Sequence, residues 1–191
     1  MIKHRYSIAI SASFLTMALF QTGCGVLIGN IKPVEEKSES YGIADLSKEG
    51  TGWVKLDPAA EVNASKTPEV TPTEVSDVAY QSKKTASIIS LDSACRQSSA
   101  NSDHNLQTFT NQLLLGISNI AQRDETAVIV QNTPALETTV TGRVNADPVK
   151  LRTVVLRRGH CVYDLVFVAR PNTFSEEETD FSHFVASLKL K

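Results

Sequence analysis

Residues 151–169 read LRTVVLRRGHCVYDLVFVA, two runs of apolar and β-branched residues around a short basic turn. Because Gly159 lies in that turn, the stretch predicts an antiparallel hairpin with strands over 151–156 and 161–169. In the second strand, all odd-numbered residues, such as Tyr163, are apolar. Most of the even-numbered residues, such as Val162, are apolar too. A strand with two apolar faces is typical of the centre of a sheet that is covered on both sides.

Shorter runs of the same character predict the rest of the sheet. The segment 57–77 contains Pro58, Pro68 and Pro72 among small polar residues, which predicts an extended loop instead. The predicted strands cover residues 53–56, 78–80, 85–91, 127–130 and 139–144.

The sequence also predicts two helices. The first covers 104–121, with Ser102 or Asp103 available as its N-cap. The second begins near residues 175–178, whose Ser-Glu-Glu-Glu sequence matches a capping box. Lys189 and Lys191 suit the negative end of this second helix dipole. The apolar faces are Leu106, Phe109, Leu113, Ile117 and Ile120 in the first helix, and Phe181, Phe184, Val185 and Leu188 in the second.

The order of these elements predicts the fold class. Three strands, a helix, four strands and a final helix give an α+β domain, built as a mainly antiparallel β-sheet flanked by helices in an α/β/α sandwich. A doubly wound dinucleotide-binding fold would require strands and helices to alternate, and they do not.

The first 24 residues look like an export signal that ends at a lipid-modified cysteine. A basic start is followed by an apolar run over 7–20, which is shorter than the roughly 20 residues of a membrane-spanning helix. Residues 20–24, FQTGC, resemble a bacterial lipobox, with Gln21 where leucine is usual. We therefore expect residues 1–23 to be a cleaved signal peptide and Cys24 to carry fatty acyl chains such as palmitate. The alternatives are an ordinary secretory signal with a chance cysteine and an uncleaved amphipathic anchor.

The mature chain divides into a tether and one domain. Residues 24–50 are predicted to be the lipidated N-terminus and a flexible tether, because the charged run 35–40 lacks periodicity. Residues 51–191 form the single predicted domain. Gly25, in place of an aspartate after the cysteine, is similar to the enteric sorting pattern for the outer membrane. The predicted location is the cell envelope, anchored at the outer membrane and facing the periplasm.

Charge argues against nucleic acid as a partner. The chain has 19 basic and 21 acidic side chains, and loss of Lys3 and Arg5 with the signal leaves a net charge of about −4. The remaining basic residues form no stripe of the kind that nucleic acid requires. The sequence also lacks a glycine-rich phosphate loop, so neither a nucleotide nor any other cofactor is expected.

Two cysteines remain after Cys24. An exported protein meets an oxidising compartment, so Cys95 and Cys161 predict one structural disulfide across 66 positions. The alternative is a pair of buried free thiols.

Several short motifs between residues 51 and 190 together suggest a known fold. They are Gly52-Trp53, Ala79-Tyr80 to Ile88 with Cys95, Gly116, residues 161–165 and residues 181–188. With these motifs the chain resembles the PsbP-like fold. Members of this fold are accessory or scaffold proteins, often at membranes, and the resemblance implies no catalytic residue for this chain.

Candidate catalytic and metal-binding residues are few. His104, His160 and His183 lack the spacing of a zinc site, which favours surface or rim positions. Asp103 and His104 could form a triad with a serine, but the sequence has no Gly-x-Ser-x-Gly elbow. Four aromatic residues could line a ligand pocket, although their spacing favours a core; they are Trp53, Tyr80, Phe109 and Tyr163.

These observations predict a non-enzymatic envelope protein held at the membrane through Cys24. Its domain is expected to bind another envelope protein or to support the assembly of a complex. The alternatives are a periplasmic carrier of a small apolar ligand, which needs a closed cavity between sheet and helix, and a hydrolase, which needs a cleft with convergent polar groups.

Overall fold

The computed structural model describes residues 41–48, 50, 52–57, 77–95 and 105–190. The predicted signal, Cys24 and most of the predicted 57–77 loop lie outside these residues. The strands are β1 (Tyr41–Gly42), β2 (Trp53–Lys55), β3 (Val78–Ser82), β4 (Ile88–Cys95), β5 (Ser118–Val130), β6 (Thr133–Val144), β7 (Asp147–Arg158), β8 (Cys161–Ala169) and β9 (Lys189–Leu190). The helices are α1 (Leu106–Leu113) and α2 (Phe174–Ser187), with a short 3-10 helix over Leu46–Lys48.

Seven strands form one antiparallel sheet in the order β2-β3-β4-β8-β7-β6-β5. Helix α2 packs against one face, and α1 packs over β6 and β7 on the other. The predicted α+β class, a mainly antiparallel sheet flanked by helices, is confirmed.

Strand β8 lies at the centre of the sheet, as its two apolar faces predict. It pairs with β4 on one side and with β7 on the other. Its odd-numbered residues, including Tyr163 and Phe167, enter the main core beneath α2. Its even-numbered residues face the α1 side, where Val166 and Val168 border a smaller cluster. The predicted hairpin between β7 and β8 is confirmed.

Helix α2 closes the main core with aromatic side chains. Phe181 and Phe184 are completely buried, and the Phe181 ring stacks on Phe167 with 5.7 Å between centroids. The predicted capping box is wrong, because the helix begins at Phe174 and its N-cap, Thr173, makes no side-chain capping bond. Acidic residues do lie in the first turn, as expected, but one of them has a structural role described below. Lys189 belongs to β9 rather than to the end of the helix.

The first helix is shorter than its sequence pattern predicts. It is capped by the Asn105 side chain, which accepts a hydrogen bond from Thr108 N at 2.9 Å, so the predicted N-cap is wrong. The helix ends at Leu113, and the chain then enters β5 at Ser118. The chain can pass from α1 to β5 here because Gly142 is a glycine. A Cβ at position 142 would lie only 2.5 Å from Ile117 Cγ2. Pairing with β6 therefore overrides the helical spacing after residue 113.

The folded unit begins earlier than position 51. Tyr41 pairs with Leu190 and Gly42 with Lys189, so β1 and β9 form a small second sheet. Leu46 is buried in the main core, and Ala44 N donates to Ser187 Oγ at 2.9 Å. Residues 41–48 therefore belong to the domain, although they fall within the predicted 24–50 tether.

Candidate functional site

The predicted disulfide between Cys95 and Cys161 is present. Cys95 ends β4, Cys161 begins β8, and the two are direct partners in the strand register. Both are buried in the main core. The bond therefore ties the central strand to its neighbour at one end of their ladder.

His160 lies beside this disulfide. One nitrogen of its ring and the sulfur atoms of Cys95 and Cys161 all lie within 4.8 Å of one another. The side chain is half-buried, at the turn between β7 and β8. Sequence reasoning placed His160 correctly in a turn but missed its neighbour Cys95, because 65 positions separate them and only the β4–β8 pairing brings them together.

The other predicted site residues are not brought together. Cys24, and the Asp103 and His104 of the candidate triad, lie outside the described residues. His183 is exposed on α2. Neither helix in the described part of the chain has the length and apolar character that crossing a membrane requires.

A buried carboxylate joins α2 to the turn between β3 and β4. Glu177 accepts hydrogen bonds from Ser82 Oγ and, at 2.5 Å, from Thr85 Oγ1. Ser82 Oγ also accepts from the backbone N–H groups of Lys84 and Thr85. The Ser82 hydroxyl therefore donates a hydrogen bond to the Glu177 carboxylate and accepts two from the turn, so that it links α2 to this turn. Sequence reasoning assigned Glu177 only to the helix dipole.

The four candidate pocket aromatics do not share one surface. Trp53, Tyr80 and Tyr163 are buried in the main core, and Trp53 Nε1 donates to Asp180 Oδ2 at 2.9 Å. Phe109 is half-buried on α1, the helix that covers the opposite face of the sheet. The core interpretation therefore holds for Trp53, Tyr80 and Tyr163, whereas Phe109 belongs to neither buried cluster of the described residues.

Tyr41 fastens the first strand to this core. Its ring meets Tyr163 edge-on, with 6.1 Å between centroids. Burial, followed by the nearby Asp77 carboxylate, raises the pKa of the Tyr41 hydroxyl well above its usual value. Asp77 also accepts a hydrogen bond from Ser93 Oγ. The N-terminal segment is thus held by both packing and polar contacts.

The most open part of the described sheet is β5. This strand is 13 residues long, forms one end of the strand order, and is exposed over most of its length. Its hairpin with β6 has the two-residue loop Gln131-Asn132, in which both residues have positive φ. The flanking pair, Val130 and Thr133, is therefore hydrogen-bonded, and the pairing alternates from there.

This alternation identifies which backbone groups point outward. The N–H and C=O groups of Arg123, Glu125, Ala127 and Ile129 face away from β6, and no described strand lies beside them. Pro134, opposite Ile129, fits this assignment because a proline has no N–H to contribute to the ladder. We call these four residues the β5 edge.

The side chains of the β5 edge combine charge with exposed apolar surface. Arg123 forms an ion pair with Glu125 at 2.6 Å. From α1, Gln107 donates a hydrogen bond to Glu125, and Asn111 accepts one from Arg123. The Gln107 hydrogen bond and the Arg123 guanidinium lower the pKa of Glu125. Ile129 follows with 69% of its surface exposed. The edge can thus offer backbone pairing, a fixed charge pair and an apolar contact.

Comparison with known proteins gives structural matches only. No family model matches the chain, and no curated protein sequence matches it significantly. A protein of unknown function from Pseudomonas aeruginosa is similar in structure, with a TM-score of 0.44 and 13% identity, over 83% of this chain and 88% of that one. The solution structure of cyanobacterial PsbP from Synechocystis sp. PCC 6803 gives a TM-score of 0.47 and 9% identity, over 86% of this chain and 99% of that one. Neither match transfers a ligand, partner or activity to this chain.

Proposed function

We propose that this protein is a lipid-anchored, non-catalytic interaction module of the bacterial cell envelope. Its β5 edge receives an extended segment of another envelope protein as an eighth strand. The observation that carries this proposal is the long exposed strand with four outward-facing residues at one end of the sheet. The anchor is Cys24, and the expected position is the periplasmic face of the outer membrane.

The unpaired backbone of an edge strand favours an extended segment as the partner. Unpaired N–H and C=O groups on an edge strand are a template for another strand, and natural proteins usually shorten or cover such edges. A strand added there gains main-chain hydrogen bonds, while alternate side chains supply specificity. On this face, Ile129 offers an apolar contact and Glu125 a charged one.

The segment between Cys24 and the domain is long enough to hold the domain away from the membrane. Residues 25–40 precede the first described strand, and a fully extended chain of that length spans at most about 58 Å. The domain would therefore act within roughly this distance of the bilayer, on a partner in the same compartment. The disulfide is consistent with such an oxidising location.

Site-specific photocrosslinking in the native cells tests whether a partner segment binds at the β5 edge. A photoreactive residue is placed at Ala127 or Ile129 on β5, and in the control at Val54, which is 42% exposed on the opposite edge strand β2. We expect positions 127 and 129 to capture the same envelope protein, at partner residues two positions apart. Equal capture from Val54, or capture at scattered partner residues, would contradict the proposal.

The anchor is tested separately by mass spectrometry of the N-terminal peptide. We expect acyl chains on Cys24 in the processed protein, and release of Cys24→Ser from the membrane fraction. An unmodified Cys24 in membrane-bound protein would contradict the anchor and leave the docking edge to be judged by crosslinking alone.

A further inference from the structure

Three metal-binding side chains meet where β8 begins. The donor atoms of Cys95, His160 and Cys161 all lie within 4.8 Å of one another. Donors bound to one tetrahedral zinc ion lie roughly 3.4–3.8 Å apart, given Zn–S near 2.3 Å and Zn–N near 2.0 Å. Small side-chain rotations therefore suffice to bring all three onto one ion.

We propose that this corner, formed by Cys95, His160 and Cys161, is a site for a thiophilic divalent cation such as Zn²⁺, and that it opens when the disulfide is reduced. The disulfide form has no thiolate to offer and excludes the ion. The corner thus couples metal binding to redox state. This inference is independent of the proposed docking at β5.

The reaction has two balanced steps. A dithiol reductant gives two electrons and two protons to the Cys95–Cys161 bond, which breaks to two thiols while the dithiol closes to its own disulfide. The divalent cation then displaces both thiol protons and forms two metal–sulfur bonds. A lone pair of the His160 ring supplies the third bond, and the fourth position stays open to water or another ligand.

The strand pairing keeps the donors together after the bond is cut. Strands β4 and β8 share eight register pairs, of which Cys95 and Cys161 are the last. The remaining seven pairs hold the two thiols opposite each other. The corner also adjoins the turn at Gly159 and His160, and strand ends beside turns open more readily than strand centres, which gives a reductant access to the buried sulfurs.

The donor set determines which ion fits. Two thiolates and one imidazole favour zinc and other thiophilic ions, whereas Mg²⁺ and Ca²⁺ prefer oxygen ligands. Three protein ligands with one open position also match the usual arrangement of non-structural zinc sites.

The test uses the full processed chain, oxidised or reduced with a phosphine that does not compete for metal. Co²⁺ serves as the spectroscopic probe and Zn²⁺ as the competitor. We expect the reduced protein to bind one Co²⁺ with thiolate charge-transfer and tetrahedral absorption bands, and the oxidised protein to show neither. His160→Gln removes a direct ligand and should weaken binding by at least the roughly tenfold that loss of a ligand's hydrogen-bond partner costs. His183→Gln, an exposed histidine on α2, is the control and should bind like the unaltered protein.

Circular dichroism before and after Zn²⁺ addition keeps the test decisive if reduction loosens the fold. A reduced chain that refolds with Zn²⁺, and does so less well as His160→Gln, supports the site. Reduced protein that binds no Co²⁺, or binds it equally well as His160→Gln and His183→Gln, overturns the proposal.

Discussion

The core beneath α2 and the β5 edge belong to the same sheet, yet they differ in burial and in backbone pairing. Beneath α2, aromatic side chains such as Phe167 and Phe181 are fully buried and stack on one another. Along β5, most residues are exposed, and one side of the backbone faces no described strand. The fold therefore keeps the residues that stabilise it apart from the proposed docking site at the β5 edge.

The two faces of the central region differ in a similar way. On the α2 side, the buried carboxylate of Glu177 accepts hydrogen bonds from Ser82 and Thr85, although the buried Nε of Arg152 has no hydrogen-bond partner among the described residues. On the side of α1, three threonines are fully buried, and their hydroxyl oxygens have no hydrogen-bond partner in the described part of the chain. These are Thr110, Thr138 and Thr153. The buried hydroxyls without a partner among the described residues therefore lie on the α1 face.

The largest expected effect is on the core beneath α2. Phe181→Ala should lower the free energy of unfolding by about 3–5 kcal/mol, because it removes a stacked ring from a closed core. Ile129→Ala on the exposed edge should change it by no more than about 0.5 kcal/mol. Urea unfolding of both variants measures the difference, and similar losses would show that the two regions share the stabilising role.

Loss of the disulfide should have the next largest effect. The double variant Cys95→Ala with Cys161→Ala should lower the free energy of unfolding by about 2–4 kcal/mol, since the bond closes a long loop of the unfolded chain. Denaturant unfolding without reductant measures it. A double variant as stable as the parent would mean that the β4–β8 ladder alone fixes this end of the core.

Two threonines test the contrast between the faces. Thr85→Val removes a donor from buried Glu177 and should cost about 1–3 kcal/mol. Thr153→Val replaces an unpartnered buried hydroxyl by a methyl group and should be neutral or stabilising by up to about 1 kcal/mol. Thermal unfolding of the pair provides the measurement. A larger loss in Thr153→Val than in Thr85→Val would reverse our ranking of the two faces.

The smallest expected effect concerns the stability of the protein at alkaline pH and the hydroxyl of Tyr41. Burial raises the pKa of its hydroxyl in the folded state, so the unfolded chain loses this proton first, above about pH 10. The stabilising contribution of the neutral hydroxyl is complete below pH 10 and is lost as the pH rises further. Tyr41→Phe should therefore show a shallower loss of stability between pH 10 and 11 than the parent. Parallel alkaline unfolding curves would contradict this.

The sequence predicted the centre of this molecule better than its periphery. Strand β8 follows from a local apolar run, and the Cys95–Cys161 bond follows from the presence of two remaining cysteines in a chain that is expected to be exported. The end of α1 does not, since Ile117 and Ile120 keep helical spacing, whereas Ser118 and the residues from Gln122 onward pair with β6. The β5 edge was missed for the same reason, and β1 was taken as tether because its partner β9 lies at the other end of the chain.

The most direct measurement compares Ala127→Pro with Ala127→Ser in the crosslinking experiment, with the photoreactive residue at position 129. The proline removes one outward N–H of the β5 edge, and because that group faces away from β6 it leaves the β5–β6 hydrogen bonds intact. We expect a folded Ala127→Pro protein whose capture of the partner segment falls about tenfold, while Ala127→Ser captures it like the parent. Equal capture by both folded variants would contradict docking through the backbone of β5.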